Sequence, residues 1–187
     1  MLPSACDTVA DIVQNAFESG ADNIWLDFVR ADSSLSVAVR DDGCGMDAPT
    51  LAKVRDPFFT SPGKHPSRRV GLGIPFLQQA ADLCGGSLDI ASEPGKGTRV
   101  AFRFDASHID APPVGDVPAL FSQLMAFAGR ANLHIRSEID GRSYSVSRDE
   151  LADALGDLES AGSLALLHDF FASNEADLKQ NPEVLHA

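Results

Sequence analysis

At 187 residues, with 44% hydrophobic and 22% charged residues, the chain is long enough to bury a core and is not disordered throughout. The net charge of −12 divides into −4 over residues 1–105 (14 acidic, 10 basic) and −8 over residues 106–187 (13 acidic, 5 basic), which argues against a broad nucleic-acid or anionic-membrane footprint. Cys6, Cys44 and Cys84 form no metal or disulfide pattern, no apolar run reaches the roughly 18 residues of a membrane span, and no signal sequence is recognisable, so reduced thiols in a cytoplasmic protein are expected.

Apolar residues at Val9, Ile12, Val13, Ala16 and Phe17 have the spacing of an amphipathic helix, with Gly20 placed to end it. Asp11, Asn15 and Glu18 then share the opposite face, where a carboxylate one turn before a carboxamide suits a hydrated metal ion. A solvated polar face has the same pattern. Asn23 to Val29 and Leu35 to Val39 read as a hairpin. Arg40-Asp41-Asp42-Gly43-Cys44-Gly45-Met46 follows directly, where two glycines allow a ligand close to the backbone and Asp41 can accept from an amino group such as that of adenine.

Ala48 to Val54 predicts a short helix. Asp56 to Gly73 cannot build a core: its middle is basic (Lys64, His65, Arg68, Arg69) and its end, Gly71-Leu72-Gly73, runs into a helical stretch ending at Gly85-Gly86. A glycine-bearing loop opening a helix leaves unpaired N–H groups facing outwards, so phosphate is the ligand to test. Ser87 to Ser92 and Thr98 to Phe104 read as strands joined through Glu93-Pro94-Gly95-Lys96-Gly97.

Ala106 to Pro118 has the composition of a linker. Residues 119–187 then read as a small acidic segment of unknown role: a helix over Ala119 to Ala128, a hairpin about Asp140-Gly141, a helix capped by Ser147 and Glu150, and a last helix over Leu164 to Leu178.

Taken together, residues 5 to 105 resemble the GHKL superfamily of ATP-binding domains, which includes gyrase B, histidine kinases, MutL and anti-sigma serine kinases. The matching order is Asp11 to Asn15 for the N box, Asp41-Asp42-Gly43-Cys44-Gly45-Met46 for G1, and Asp56-Pro57-Phe58-Phe59-Thr60 for the F box. Gly71-Leu72-Gly73-Ile74 follows for G2, and Gly95-Lys96-Gly97-Thr98 closes the series. Each motif alone is weak; five in order and spacing are specific.

The resemblance implies an α+β fold, a two-layer sandwich of a mixed, mostly antiparallel sheet with helices on one face. It implies ATP and Mg²⁺ as cofactors. Asn15 would ligate the metal, Asp41 would accept from adenine, and Gly43, Gly45 and Met46 would line the base. Thr98 would help fix it. Phe58 and Leu72 would border a lid in which Lys64, Arg68 or Arg69 neutralises the phosphates, while Gly71 and Gly73 offer N–H groups.

Asp11 stands where several branches carry a catalytic glutamate, one methylene longer, so slow or absent hydrolysis is expected if Asp11 is the general base. Only ten residues precede the N box, and none of His65, His108, His134, His168 or His186 has the phospho-acceptor context, so a stand-alone form without that domain is expected. A protein partner is implied, with no nucleic acid or membrane, and a homodimer stays open. Transfer of phosphate to a partner in trans and nucleotide-gated binding without catalysis both remain open.

Overall fold

The computed structural model describes residues 4–54, 73–127, 129 and 131–180. Its first helix, α1 (Ala5–Glu18), begins at a reciprocal cap that the sequence reading overlooked. The Ser4 hydroxyl accepts from the Asp7 amide at 3.1 Å, and the Asp7 carboxylate accepts from the Ser4 amide at 2.8 Å. The next two amides are also used: Ala5 N donates to Pro113 O at 2.8 Å and Cys6 N to Val114 O at 3.0 Å. The Pro-rich stretch after residue 105 therefore closes over the start of α1. Val9, Ile12, Val13 and Ala16 are buried, as their spacing predicts, and the helix ends at Ser19 with Gly20 at φ +76°.

The strands are β1 (Asn23–Ala31), β2 (Ser34–Asp41), β3 (Ser87–Glu93), β4 (Gly97–Asp105), β5 (Asn132–Ile139) and β6 (Arg142–Ser147). They form one six-stranded sheet in the order β3-β4-β2-β1-β5-β6. Four neighbouring pairs are antiparallel, and β1 with β5 is parallel, from Asn23↔Asn132 to Arg30↔Ile139. The expected mixed, mostly antiparallel α+β architecture is thus present, and the two strands beyond the Pro-rich stretch extend this same sheet.

Alternation decides which face is buried. Ile24, Leu26 and Phe28 on β1, Leu35, Val37 and Val39 on β2, Val100, Phe102 and Phe104 on β4, and Leu133 and Ile135 on β5 all join one core. Each such side chain contributes about 1.5–3 kcal/mol by leaving water. The helices that share this core are α1, α3 (Gly73–Leu83), α4 (Val117–Ala126), α5 (Arg148–Leu155) and α6 (Ala161–Lys179); α2 (Ala48–Lys53) buries no residue. Phe121 of α4 lies edge-on to both Phe28 (5.7 Å) and Phe171 of α6 (5.4 Å), which joins the three elements.

Two boundaries differ from the sequence reading for identifiable reasons. Pro118 falls in the first turn of α4, where its missing N–H costs nothing, and Asp116 caps that turn by accepting from Ala119 N at 3.0 Å. Ser160 likewise caps α6, accepting from Ser163 N at 3.1 Å, so that helix begins three residues earlier than its apolar pattern.

A buried ionic cluster ties α6 to the sheet. Glu175, 3% exposed, accepts from Arg30 (2.6 Å) through one oxygen and from Ser137 (2.6 Å) and Tyr144 (3.0 Å) through the other. Burial first, and then the Glu175 charge, pushes the Tyr144 phenol well above its ordinary pKa.

Candidate functional site

The start of β1, the end of β2, the β3–β4 turn and the C-terminal end of α1 converge on Asp41. Its carboxylate is 5% exposed. One oxygen, Oδ1, accepts from the Ser19 hydroxyl at 3.1 Å and from the Gly43 amide at 2.9 Å. Among the described residues Oδ2 receives no hydrogen bond, so the group is held in place by one oxygen and offers the other to a donor.

The backbone around Asp41 is packed more tightly than side chains permit. A Cβ on Gly43 would lie 1.8 Å from Ser19 Oγ, one on Gly45 1.9 Å from Glu93 O, and one on Gly97 1.9 Å from Asp41 O. Gly45 (φ +63°) and Gly97 (φ +88°) also adopt left-handed conformations. These glycines bring the loop after β2 against the β3–β4 turn, and Gly95 N donates to Cys44 O at 2.8 Å across that junction.

Ser92 is the polar hub of the junction. Its hydroxyl accepts from Met46 N at 2.8 Å, lies 3.0 Å from Gly97 O and 2.9 Å from Thr98 Oγ1. Met46 and Thr98, far apart in sequence, are thereby fixed to one atom. Behind them Asp42 accepts from Asp22 N (2.8 Å), Asn23 N (2.9 Å) and Asn23 Nδ2 (2.9 Å), and these bonds, Asn23's first, hold its carboxyl below the usual range. Ser19 and Ser92 were missed in the sequence because nothing in their spacing marks them, a serine at a helix end or in a strand being commonplace; Asp42 stood inside the G1 match but was given no role.

The remaining expected residues divide into two groups. Asp11 and Asn15 lie on the exposed side of α1, one turn apart, and Asn15 is one turn before the Ser19 that holds Asp41. Gly73 is the first residue of α3. Phe58, Lys64, Arg68, Arg69, Gly71 and Leu72 lie outside the described residues. Among the described residues no cluster of three or more His, Cys, Asp or Glu could hold a metal, no helix is long and apolar enough to cross a membrane, and the three cysteines are free.

The α+β fold thus places a carboxylate at the end of β2, framed by glycines from two loops. The chain belongs to the family of histidine kinase-, DNA gyrase B- and HSP90-like ATPases, whose model matches residues 4–108.

Among curated relatives, the sensor histidine kinase YxdK of Bacillus subtilis is 28% identical over 100 residues, 51% of this chain and 31% of that protein. The sensor protein kinase FleS of Pseudomonas aeruginosa is 37% identical over 94 residues, covering 49% and 22%. The chain thus spans less than a third of the length of these relatives. The N-terminal domain of a DNA repair protein is similar in fold, with a TM-score of 0.51 at 12% identity over 87% of this chain and 59% of that one.

Proposed function

We propose that this chain binds Mg²⁺-ATP at the Asp41 site and uses the bound nucleotide to hold, switch or phosphorylate a protein partner. The observation that carries this reading is the half-satisfied Asp41 carboxylate inside a frame of glycines, beside α1 bearing Asp11 and Asn15. Oδ2 suits the amino group of adenine, and the absence of side chains at Gly43, Gly45 and Gly97 lets backbone from two loops close around the base. Thr98, steadied by Ser92, stands within the same junction.

Asn15 fits magnesium chemically, since its carboxamide oxygen is a hard donor and this ion takes few protein ligands alongside phosphates and water. The ion would neutralise phosphate charge. Lys64, Arg68 or Arg69 would add to that neutralisation, and the amides of Gly71 and Gly73 would meet phosphate oxygens. Phe58 and Leu72 would flank them. Asp11, one turn from Asn15, is the candidate to orient or deprotonate an attacking group. Its short side chain supports slow hydrolysis, and the family match, the sensor-kinase relatives and the acidic C-terminal half support a regulatory role.

Titration with a nonhydrolysable ATP analogue in a calorimeter tests binding: saturable, Mg²⁺-dependent heat is expected, with the Mg²⁺ dependence lost in Asn15→Ala. Incubation with labelled ATP and proteins retained on the immobilised chain separates the modes of use. Label appearing on the retained protein supports a kinase in trans; nucleotide-dependent retention without label supports a switch. Equal single-turnover hydrolysis by the natural chain and Asp11→Asn would remove Asp11 from the mechanism.

A further inference from the structure

Among the described residues no helix shares the core through the second face of the sheet, and the register lays that face's side chains out in rows. One row runs Arg99, Arg40, Trp25, His134 across β4, β2, β1 and β5; the next runs Asp89, Ala101, Ala38, Asp27, Arg136; the third runs Arg103, Ser36, Val29, Glu138. Ala38, Ala101 and Ser36 are small, so the surface dips between the rows into a shallow basin of about 420 Å³, rimmed by Arg99, Arg103, Asp27 and Asp89.

The carboxylates of this face are already engaged. Asp89 pairs with Arg99 at 3.1 Å, while Arg136 pairs with Glu138 and lies 3.9 Å from Asp27. That leaves two guanidinium groups without a carboxylate among the described residues. The Arg40 guanidinium carbon lies over Trp25, 4.5 Å from the ring centroid, and Arg103 lines the basin. Trp25 is braced on its other side by His134, with ring centroids 5.7 Å apart and planes within 10°, so the aromatic edge is presented on a rigid mount.

We propose that this open face is a docking surface for an acidic amphipathic helix of a protein partner. A helix is the element that ordinarily covers a sheet face. Small or apolar side chains on one stripe would fill the Ala38–Ala101–Ser36 basin, and carboxylates would reach Arg40 and Arg103. Strand geometry puts those two Cα atoms roughly 14 Å apart, so acids about two turns apart along the helix span them. Trp and Arg, which stand here in the row beside the basin, are residue types that often carry binding energy at an interface. Asp27 and Asp89 in the rim disfavour a polyphosphate chain such as RNA. The surface supplies a place for the partner in the reading above, but it stands without that reading because the nucleotide site is not part of it.

The test uses the full chain without nucleotide, so its failure and that of ATP binding are separate results. The probe is a labelled synthetic amphipathic helix of Glu, Ala and Leu, with a Lys-for-Glu counterpart and a single-stranded RNA oligonucleotide as comparators. Saturable anisotropy with the acidic helix is expected, accompanied by a change in fluorescence of Trp25, the single tryptophan. Affinity should fall at least tenfold in Arg40→Glu/Arg103→Glu and weaken with added salt. Ala38→Phe, which fills the basin and leaves both arginines, should also weaken it, and circular dichroism checks that each variant is folded. No saturable binding, equal affinity in the folded variants, or tighter binding of the lysine helix or the RNA would overturn the proposal.

Discussion

Two buried carboxylates, Asp41 and Glu175, are exposed to nearly the same small extent, 5% and 3%, yet they are built for opposite ends. Glu175 has both oxygens occupied, by Arg30 on one side and by Ser137 and Tyr144 on the other. Asp41 has one oxygen fixed by Ser19 and Gly43 and the other uncommitted. A closed set of partners spends all of a carboxylate's capacity on holding elements together, whereas an open set fixes the orientation and reserves an acceptor. The contrast between a joining acid and a receiving acid explains why two equally hidden groups should respond differently to substitution.

The largest expected effect is at the joining acid. Glu175→Ala leaves the half-buried Arg30 charge without its partner and should cost about 3 kcal/mol in urea unfolding, while the double change Arg30→Met/Glu175→Leu recovers most of that loss. At the receiving acid the loss should appear in affinity. Asp41→Asn replaces a charged acceptor but keeps an oxygen for Ser19 and Gly43, so ATP-analogue binding should weaken by about 1.5–3 kcal/mol while unfolding shifts by less than about 1 kcal/mol. If Asp41→Asn unfolds the protein as readily as Glu175→Ala and spares affinity, the distinction collapses.

Gly97→Ala sharpens the picture, because its Cβ would press on the Asp41 carbonyl at 1.9 Å from a left-handed backbone. About 1–3 kcal/mol of stability should be lost, with the nucleotide affinity, read by calorimetry, falling in parallel.

The smallest effect concerns pH. The Asp42 carboxyl is lowered by bonds from Asn23 and Asp22, so its contribution is complete above the unfolded-state pKa and disappears as pH falls through the lower folded value. Unfolding midpoints measured below about pH 4 should therefore decline less steeply in Asp42→Asn than in the natural chain.

Much of this was legible in the sequence, for particular reasons. Period-two alternation in Val100, Phe102 and Phe104 and the helical spacing from Val9 to Ala16 report burial directly, and the buried face agrees with both, while Phe17 is only partly buried. The five motifs carried the family because glycine and acid at those spacings are rarely coincidental. What the sequence hid was long-range partnership. Ser19 meets Asp41 22 positions away, Ser92 meets Met46 46 positions away, and Arg30 meets Glu175 145 positions away. No local pattern encodes such pairs. The Pro-rich stretch after Asp105 was read as a linker, and its contacts with the first amides of α1 were equally invisible, since a carbonyl acceptor leaves no trace in residue type.

The parallel pairing of β1 with β5 also bears on the order of assembly. Asn23 is partnered by Asn132, so the middle of the sheet cannot close until more than a hundred further residues are available. Until then β1 presents an unpaired edge bearing Ile24, Leu26 and Phe28, the kind of edge that invites pairing between chains. Contacts so distant in sequence are slow to form. A nascent chain released before β5 would therefore retain every recognisable motif and still lack the strand that pairs with β1.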